Sequence, residues 1–472
     1  MSPDEAPPLG FHSLDEEVTT AVPVEGTLPD WLSGVLIRNG PGAFSAGGER
    51  VDHWFDGLAM LRRFGLDGPA DRVTYRNRFL RTDAYERARR GRFDGGFATG
   101  EAGLLRRLYR LLFGDPYDNT NVIAERIGGR HLALTESPRR VAFDPDTLAT
   151  LGHDEYAGPA PSGQLACAHL RHDPERGTAV TFETAFGRTN RYHVHELAGD
   201  AREHVAAVPV EEPAYMHSFG LTPGYVVLTE FPFVVDPLDF LRPGASGPFV
   251  EHFRWEPERG TRFLVIDRAT GAVVAEPRAE AFFGFHHANA YEADGDLVVD
   301  LETVPDASAV GTLSLDRLRS GDLDVLGGRL ERFRIDPSAG TLDRDPIYEA
   351  GTALPTVPRT RWCRPHRYVY AQGTDQPVTE WPTALLKIDA ESGRAEEYRG
   401  DDDHYGEPVM VPRPGADRED EGVVLAVGLD RDAERSSLVA LDARSFDRIA
   451  RAPLPHPLPF DFHGRWFPGL AP

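Results

Sequence analysis

The stretch FLVIDRATGAVVAE, Phe263 to Glu276, decides how this chain folds. An apolar run ends in Asp267, a few turn residues follow, and a second extended run leaves the turn. That is the pattern of a β-hairpin whose aspartate accepts backbone N–H bonds across the turn. The pattern recurs around Asp67 (RRFGLDGPADRVTYR), Asp144 (VAFDPDTLATLG), Asp336 (FRIDPSAGTLDRD), Asp389 (LLKIDAESGRAEEY) and Asp442 (LVALDARSFDRIAR). It appears once with glutamate, around Glu196 (YHVHELAGDAREH). Seven such units predict an all-β fold, a seven-bladed β-propeller of four-stranded blades. A β-sandwich is the competing architecture, but it has no use for seven similar hairpins. The whole chain, 1–472, then reads as a single domain. Cap insertions at about 83–117 and 231–258 form a helical and loop cap over one face.

Composition agrees with short strands and turns. The chain has 472 residues with Gly 47 and Pro 39, which favours turns over long helices. A net charge of −24 argues against nucleic acid as a partner. Cys167 and Cys363 give neither a disulfide framework nor a thiolate metal site, and the acidic start MSPDEAPPLGFHSLDEE lacks a signal peptide's apolar core. A cytoplasmic location is expected, with no membrane-spanning stretch. One segment reads as helix: AGLLRRLYRLLFGDP, with Leu104, Leu105, Leu108, Leu111 and Leu112 on one face and arginines on the other. Two readings stand, a helix packed on the β fold or one lying in a membrane interface. The apolar loop FPFVVDPLDFLRPG extends the same patch.

The chemistry is carried by histidine. Of 17 histidines, His169, His217, His286 and His463 lie in apolar surroundings and each precedes a different hairpin or closes the chain. The innermost strand of every blade lines the propeller axis, so widely spaced residues can meet there on one metal. Neutral imidazoles without thiolate or carboxylate suit Fe(II), with Zn and Cu as competitors. Four ligands on an octahedral ion leave two positions open. Adjacent strand residues face opposite ways, so His286 and His287 cannot both reach one metal. His193 and His195 share a face but sit in an outer hairpin, and His172 reads as exposed. Metal-bound imidazoles donate their remote N–H to an acceptor. Glu136 and Glu407 sit suggestively at strand ends, although spacing alone does not choose them. RNGPG has too few glycines for a phosphate fingerprint, so no nucleotide cofactor is expected.

An ordered set of motifs then carries a resemblance over nearly the whole chain. They are RNGPG (Arg38 to Gly42), HWFDGLAML (His53 to Leu61), RNRFLRTDAY (Arg76 to Tyr85), DNTNV (Asp118 to Val122), AHLRHD, MHSFGLTPGYVVLTE, FHHANAYE, GEPVMVPRPGADREDEGVVL and FHG. The sequence resembles the carotenoid cleavage oxygenase family, and in detail its β-carotene central-cleavage and retinoid isomerohydrolase branch. The resemblance implies a seven-bladed propeller whose Fe(II) is held by His169, His217, His286 and His463. It implies Glu136 behind His217 and Glu407 behind His463. A third glutamate is implied where this chain has Ala353, which leaves His286 without its usual acceptor. The resemblance also implies a greasy substrate tunnel at Phe55, Phe79, Tyr215, Phe285 and Phe462, each of which reads equally well as core. Thr135 stands where stilbene-cleaving members carry lysine, which argues against a hydroxystilbene. The implied reaction is dioxygenase cleavage of a conjugated C=C bond in a carotenoid or apocarotenoid by O2, giving aldehydes, with peripheral membrane contact through the leucine-rich helix. The alternatives are a retinyl-ester isomerohydrolase, or a catalytically weak carotenoid-binding propeller suggested by Ala353.

Overall fold

The computed structural model describes residues 7–93, 96–100, 117–157, 163–242, 247–321, 323 and 327–472. All seven predicted hairpins are present as antiparallel pairs closing near Asp67, Phe143, Ala198, Ile266, Asp336, Asp389 and Leu441. At five of them the aspartate accepts two backbone N–H groups two and three residues on, as at Asp267 from Ala269 (3.1 Å) and Thr270 (2.8 Å). Asp144, Asp336, Asp389 and Asp442 do the same. Two differ from expectation. Asp67 instead accepts from the Arg72 guanidinium, and Glu196 accepts from Thr178 and Arg268. Glu196 sits two residues before its tight turn, too early to cap it.

The interior strands are apolar at successive positions because they are buried on both faces. In Thr261–Asp267, Phe263 and Val265 pack with Val299, Leu301 and Phe333, whereas Leu264 and Ile266 pack with Phe182, Tyr192 and Val194. Gly422–Asp430 divides likewise: Val423 and Leu425 meet Leu36 and Phe64, while Val424 and Ala426 meet Tyr370 and Leu385. Each fully buried side chain of this kind contributes about 1.5–3 kcal/mol.

Such shared cores follow the chain from sheet to sheet. Ile37 and Leu61 pack with Ala133 and Phe143. Leu132 and Leu134 pack with Leu170 and Ala179. Phe182 and Val194 pack with Val226 and Leu264, and Val227 and Phe263 with Val299 and Phe333. Within one seven-stranded sheet, Ala288 and Leu330 pack with Val369 and Leu386. Tyr370 and Leu385 continue to Val424 and Val439. Finally Leu425 and Leu438 return to Leu36 and Phe64, so the succession of cores closes on itself. The chain ends are stitched at that closure. Strand Ser33–Ala43 pairs with the last strand, His463–Phe467, and Glu25–Gly26 pairs with Arg448–Pro453.

The leucines at 104, 105, 108, 111 and 112 lie outside the described residues. Among the described residues no helix is long and apolar enough to cross a membrane. Cys167 and Cys363 are both buried and free.

Candidate metal centre

Four edge strands aim the predicted histidines at one point. His169 precedes Arg171–Asp173, His217 precedes Gly220–Leu221, His286 precedes His287–Ala293, and His463 opens His463–Phe467. Each of these strands pairs with a single neighbour, which leaves its other edge free to face inward. One nitrogen from each of the four imidazoles lies within 4.8 Å of all the others. The Nε2 atoms of His169 and His217 are 2.9 Å apart. Metal–nitrogen bonds of about 2.0–2.1 Å put adjacent donors about 3 Å apart, so this spacing fits two ligands of one ion.

Carboxylates fix which nitrogen faces that point. His217 Nδ1 lies 2.5 Å from Glu136 Oε1, and His463 Nδ1 lies 2.8 Å from Glu407 Oε1. His286 Nδ1 lies 3.1 Å from Glu302 Oε2. A carboxylate only accepts, so beside Glu136 and Glu407 the Nδ1 carries the hydrogen and the Nε2 presents its lone pair. The buried Nε2 of His286 has no hydrogen-bond partner. A buried ring nitrogen without a partner is costly, and a metal ion bound there would satisfy it. Burial first, and then the neighbouring imidazoles, hold His169 and His286 well below the usual imidazole range. Burial lowers His463 as well, against the pull of Glu407. Neutral imidazoles are the form a metal needs.

Glu302 overturns one expectation. Ala353 does stand where an acceptor was sought, but His286 is not left without one. The tight turn pairs Ala293 with Asp296, and with one irregularity the ladder then pairs His287 with Leu301. Glu302 therefore falls opposite His286, and its backbone N–H donates to the His286 carbonyl at 3.0 Å. Counting outward from that turn in regular register would place Thr303 opposite His286; the irregular step between His287 and Asn289 brings Glu302 there instead. Burial pushes the Glu302 carboxyl up to about 8, opposed by the Leu354 N–H. Glu407 behaves oppositely. Burial would raise it as well, but His463, Arg38 and Arg465 outweigh burial and hold it below the usual carboxylate range.

The other histidines singled out by the sequence lie away from this point. His287 is a satisfied core residue, bonded to Ser218 Oγ and Thr229 Oγ1 at 2.8 Å each. His172 is not exposed as expected; its Nε2 lies 3.3 Å from the buried Glu125. His193 and His195 stay in the hairpin Asn190–Ala198 and Ala201–Val210, where His193 Nδ1 meets His204 Nε2 at 3.1 Å.

A cavity of ≈ 280 Å³ opens on His217, His286 and His463 and is walled largely by apolar side chains. Phe55, Thr135, Tyr215, Phe285 and Phe462 line it. The Phe285 ring meets His217 edge-on at 5.7 Å, and Phe55 meets both Phe285 (6.0 Å) and Phe462 (5.7 Å). Phe79 does not line it. Its side chain packs against Met60 and Tyr85 in the core between the first and last sheets. Alternation explains this, because strand Arg72–Phe79 buries Val73, Tyr75 and Phe79 on one face. Tyr215 does more than line the wall, since its hydroxyl donates to both oxygens of Glu136 at 3.0 Å. Trp54, Phe97 and Trp381 also line the cavity, and no sequence spacing marked them.

Antiparallel sheets whose inner edges converge four imidazoles beneath an aromatic cavity define a mostly β protein with a four-histidine metal site. Comparison with known proteins agrees over nearly the full length. The family described as retinal pigment epithelial membrane protein matches residues 11–468. The apocarotenoid-15,15'-oxygenase of Synechocystis sp. is 33% identical over 97% of this chain and 95% of that relative. Carotenoid cleavage dioxygenase 8 homolog A of Oryza sativa is 35% identical over 95% of this chain and 85% of its own length. The crystal structure of cobalt-substituted Synechocystis ACO superposes with a TM-score of 0.85 at 30% identity, covering 97% of each chain. The chain belongs to the carotenoid cleavage oxygenase family.

Proposed function

We propose that the chain is a non-haem Fe(II) dioxygenase that cleaves a conjugated C=C bond of a carotenoid or apocarotenoid with O2, giving aldehyde products. The observation that carries this reading is the set of four imidazoles, three of them fixed on carboxylates, opening directly onto an aromatic cavity. Bound Fe(II) would supply the O2 chemistry, and no thiolate or carboxylate of this chain lies among the four donors. His169, His217, His286 and His463 would hold it. Phe55, Phe285 and Phe462 would pack against a polyene and keep its reacting bond dry and in place. Thr135 offers no cation for a phenolate, which disfavours a hydroxystilbene. The binding-only reading rested on a missing acceptor at His286, and Glu302 removes that ground.

The fold reading is a single seven-bladed propeller. Its support is the run of seven successive cores, the last of which joins the final sheet to the first. The seven-stranded sheet then counts as two blades, divided along the 16-residue strand Thr341–Thr356. A cytoplasmic enzyme in peripheral contact with a membrane completes the reading, because a polyene partitions into bilayers and the leucine-rich segment suits an interface.

Purified protein is expected to carry one iron per chain. Given an apocarotenoid panel under 18O2, it is expected to yield two carbonyl fragments that both carry label. An iron-replete preparation that consumes no O2 with any polyene in the panel would overturn the assignment.

A further inference from the structure

We propose that Glu302 is the positioning residue that fixes His286 for metal binding, and that the strand carrying it and the turn around Ala353 are built to deliver a carboxylate from this side. The inference rests on the four-histidine metal reading. Three independent features converge on the Glu302 side chain. It is 6% exposed, with Oε2 3.1 Å from His286 Nδ1. The second feature is the space left for it by Gly328. A Cβ on that glycine would lie 2.4 Å from the Thr352 carbonyl oxygen, 2.7 Å from Glu302 Oε1 and 2.8 Å from its Cγ, so a larger residue would crowd both that backbone and the carboxyl. The third is Leu354, whose backbone N–H lies near the carboxyl and favours its charged form. Leu354 holds φ at 49°, a conformation unfavourable for leucine, next to the register shift between Ala353 and Thr356. The backbone thus departs from regular strand where its N–H reaches Glu302, and Ala353, just before it, adds no competing polar group.

An outer acceptor acts through its ligand. It fixes the imidazole's tautomer and ring orientation, and its loss costs about 10–100-fold in metal affinity or activity. Ala353 lines the same cavity wall as Glu302 and His286, so a carboxylate grafted there occupies the same neighbourhood once Glu302 is shortened.

The test measures Fe(II) and Co(II) affinity by chelator competition, the visible spectrum of the Co(II) form, and thermal unfolding of the metal-free protein. The proteins are the parent, Glu302→Ala, Glu302→Gln and Glu302→Ala/Ala353→Glu. Glu302→Ala is expected to lower metal affinity about 10–100-fold and to alter the Co(II) spectrum without lowering metal-free stability. The double substitution is expected to recover most of that loss. Glu302→Gln keeps the size of the side chain, so it reports on the carboxyl group even where Glu302→Ala folds poorly. Unchanged affinity in both single variants overturns the role of Glu302 alone. A parent protein that takes up neither metal overturns the four-histidine reading on which it depends.

Discussion

Replacing His217 with alanine is expected to abolish stoichiometric metal binding and, with it, turnover. His217 is the ligand most tightly tied into the site. Its Nδ1 is held by Glu136, and its Nε2 lies 2.9 Å from that of His169. Phe285 packs edge-on against its ring. Removing an outer acceptor already costs about 10–100-fold, so removing the donor itself is expected to exceed about 100-fold in metal affinity. The control is the neighbour of another ligand, His287→Ala. His287 is as deeply buried as the four, but its ring bonds only to Ser218 and Thr229 among the described residues. Losing those two bonds costs about 1–3 kcal/mol in stability, chiefly by stranding the Thr229 hydroxyl since Ser218 keeps the Phe285 carbonyl, yet leaves the metal in place. Metal content per folded chain separates the two variants. A His217→Ala protein that keeps one tightly held metal per chain would remove His217 from the ligand set.

The same contrast marks what could be read in the sequence. The hairpins were legible because local chemistry writes them: an apolar strand, a capping carboxylate and a turn, all within a dozen residues or so. His286 and His287 could be told apart because strand residues alternate in direction. Glu302 escaped notice because its role depends on strand register, and an irregular step in the ladder between His287 and Asn289 shifts that register. Resemblance directed attention to position 353, where the side chain is a methyl group, while the acceptor came from across the hairpin. Phe79 resembled a tunnel residue by its motif, but the parity of its strand turned it into the core. Glu136 and Glu407 lie 81 and 56 residues from the histidines they support, distances at which no local pattern operates. Least legible of all was the charge that locks the chain's two ends together.

That lock gives the second large effect: Asp461→Ala is expected to destabilise the fold by about 3–5 kcal/mol. Arg38 lies on strand Ser33–Ala43 near the start of the chain, and Asp461 lies just before the closing strand. The Arg38 guanidinium grips Asp461 through Nε at 2.7 Å and Nη2 at 2.6 Å, with the two side chains 0% and 4% exposed. Arg62 Nη1, also fully buried, is 3.8 Å from the same carboxylate and has no hydrogen-bond partner of its own. One carboxylate therefore balances two buried cations. Burial works against the charge on both. For Arg38 the paired bonds to Asp461 outweigh it, whereas for Arg62, at longer range, they do not. Removing the carboxylate strands both cations, and removing one partner of a buried pair costs far more than the pair is worth when intact. Asp461→Asn keeps the shape and is expected to lose nearly as much, because charge is what is missing. The damage also reaches the metal. Arg38 Nη1 donates to the Glu407 carbonyl at 2.8 Å, Glu407 holds His463, and His463 lies two residues beyond Asp461. Urea unfolding and metal affinity should therefore fall together in Asp461→Ala. If the variant unfolds within about 1 kcal/mol of the parent, the two chain ends are held by strand pairing and apolar packing alone, and the buried charges are balanced in some other way.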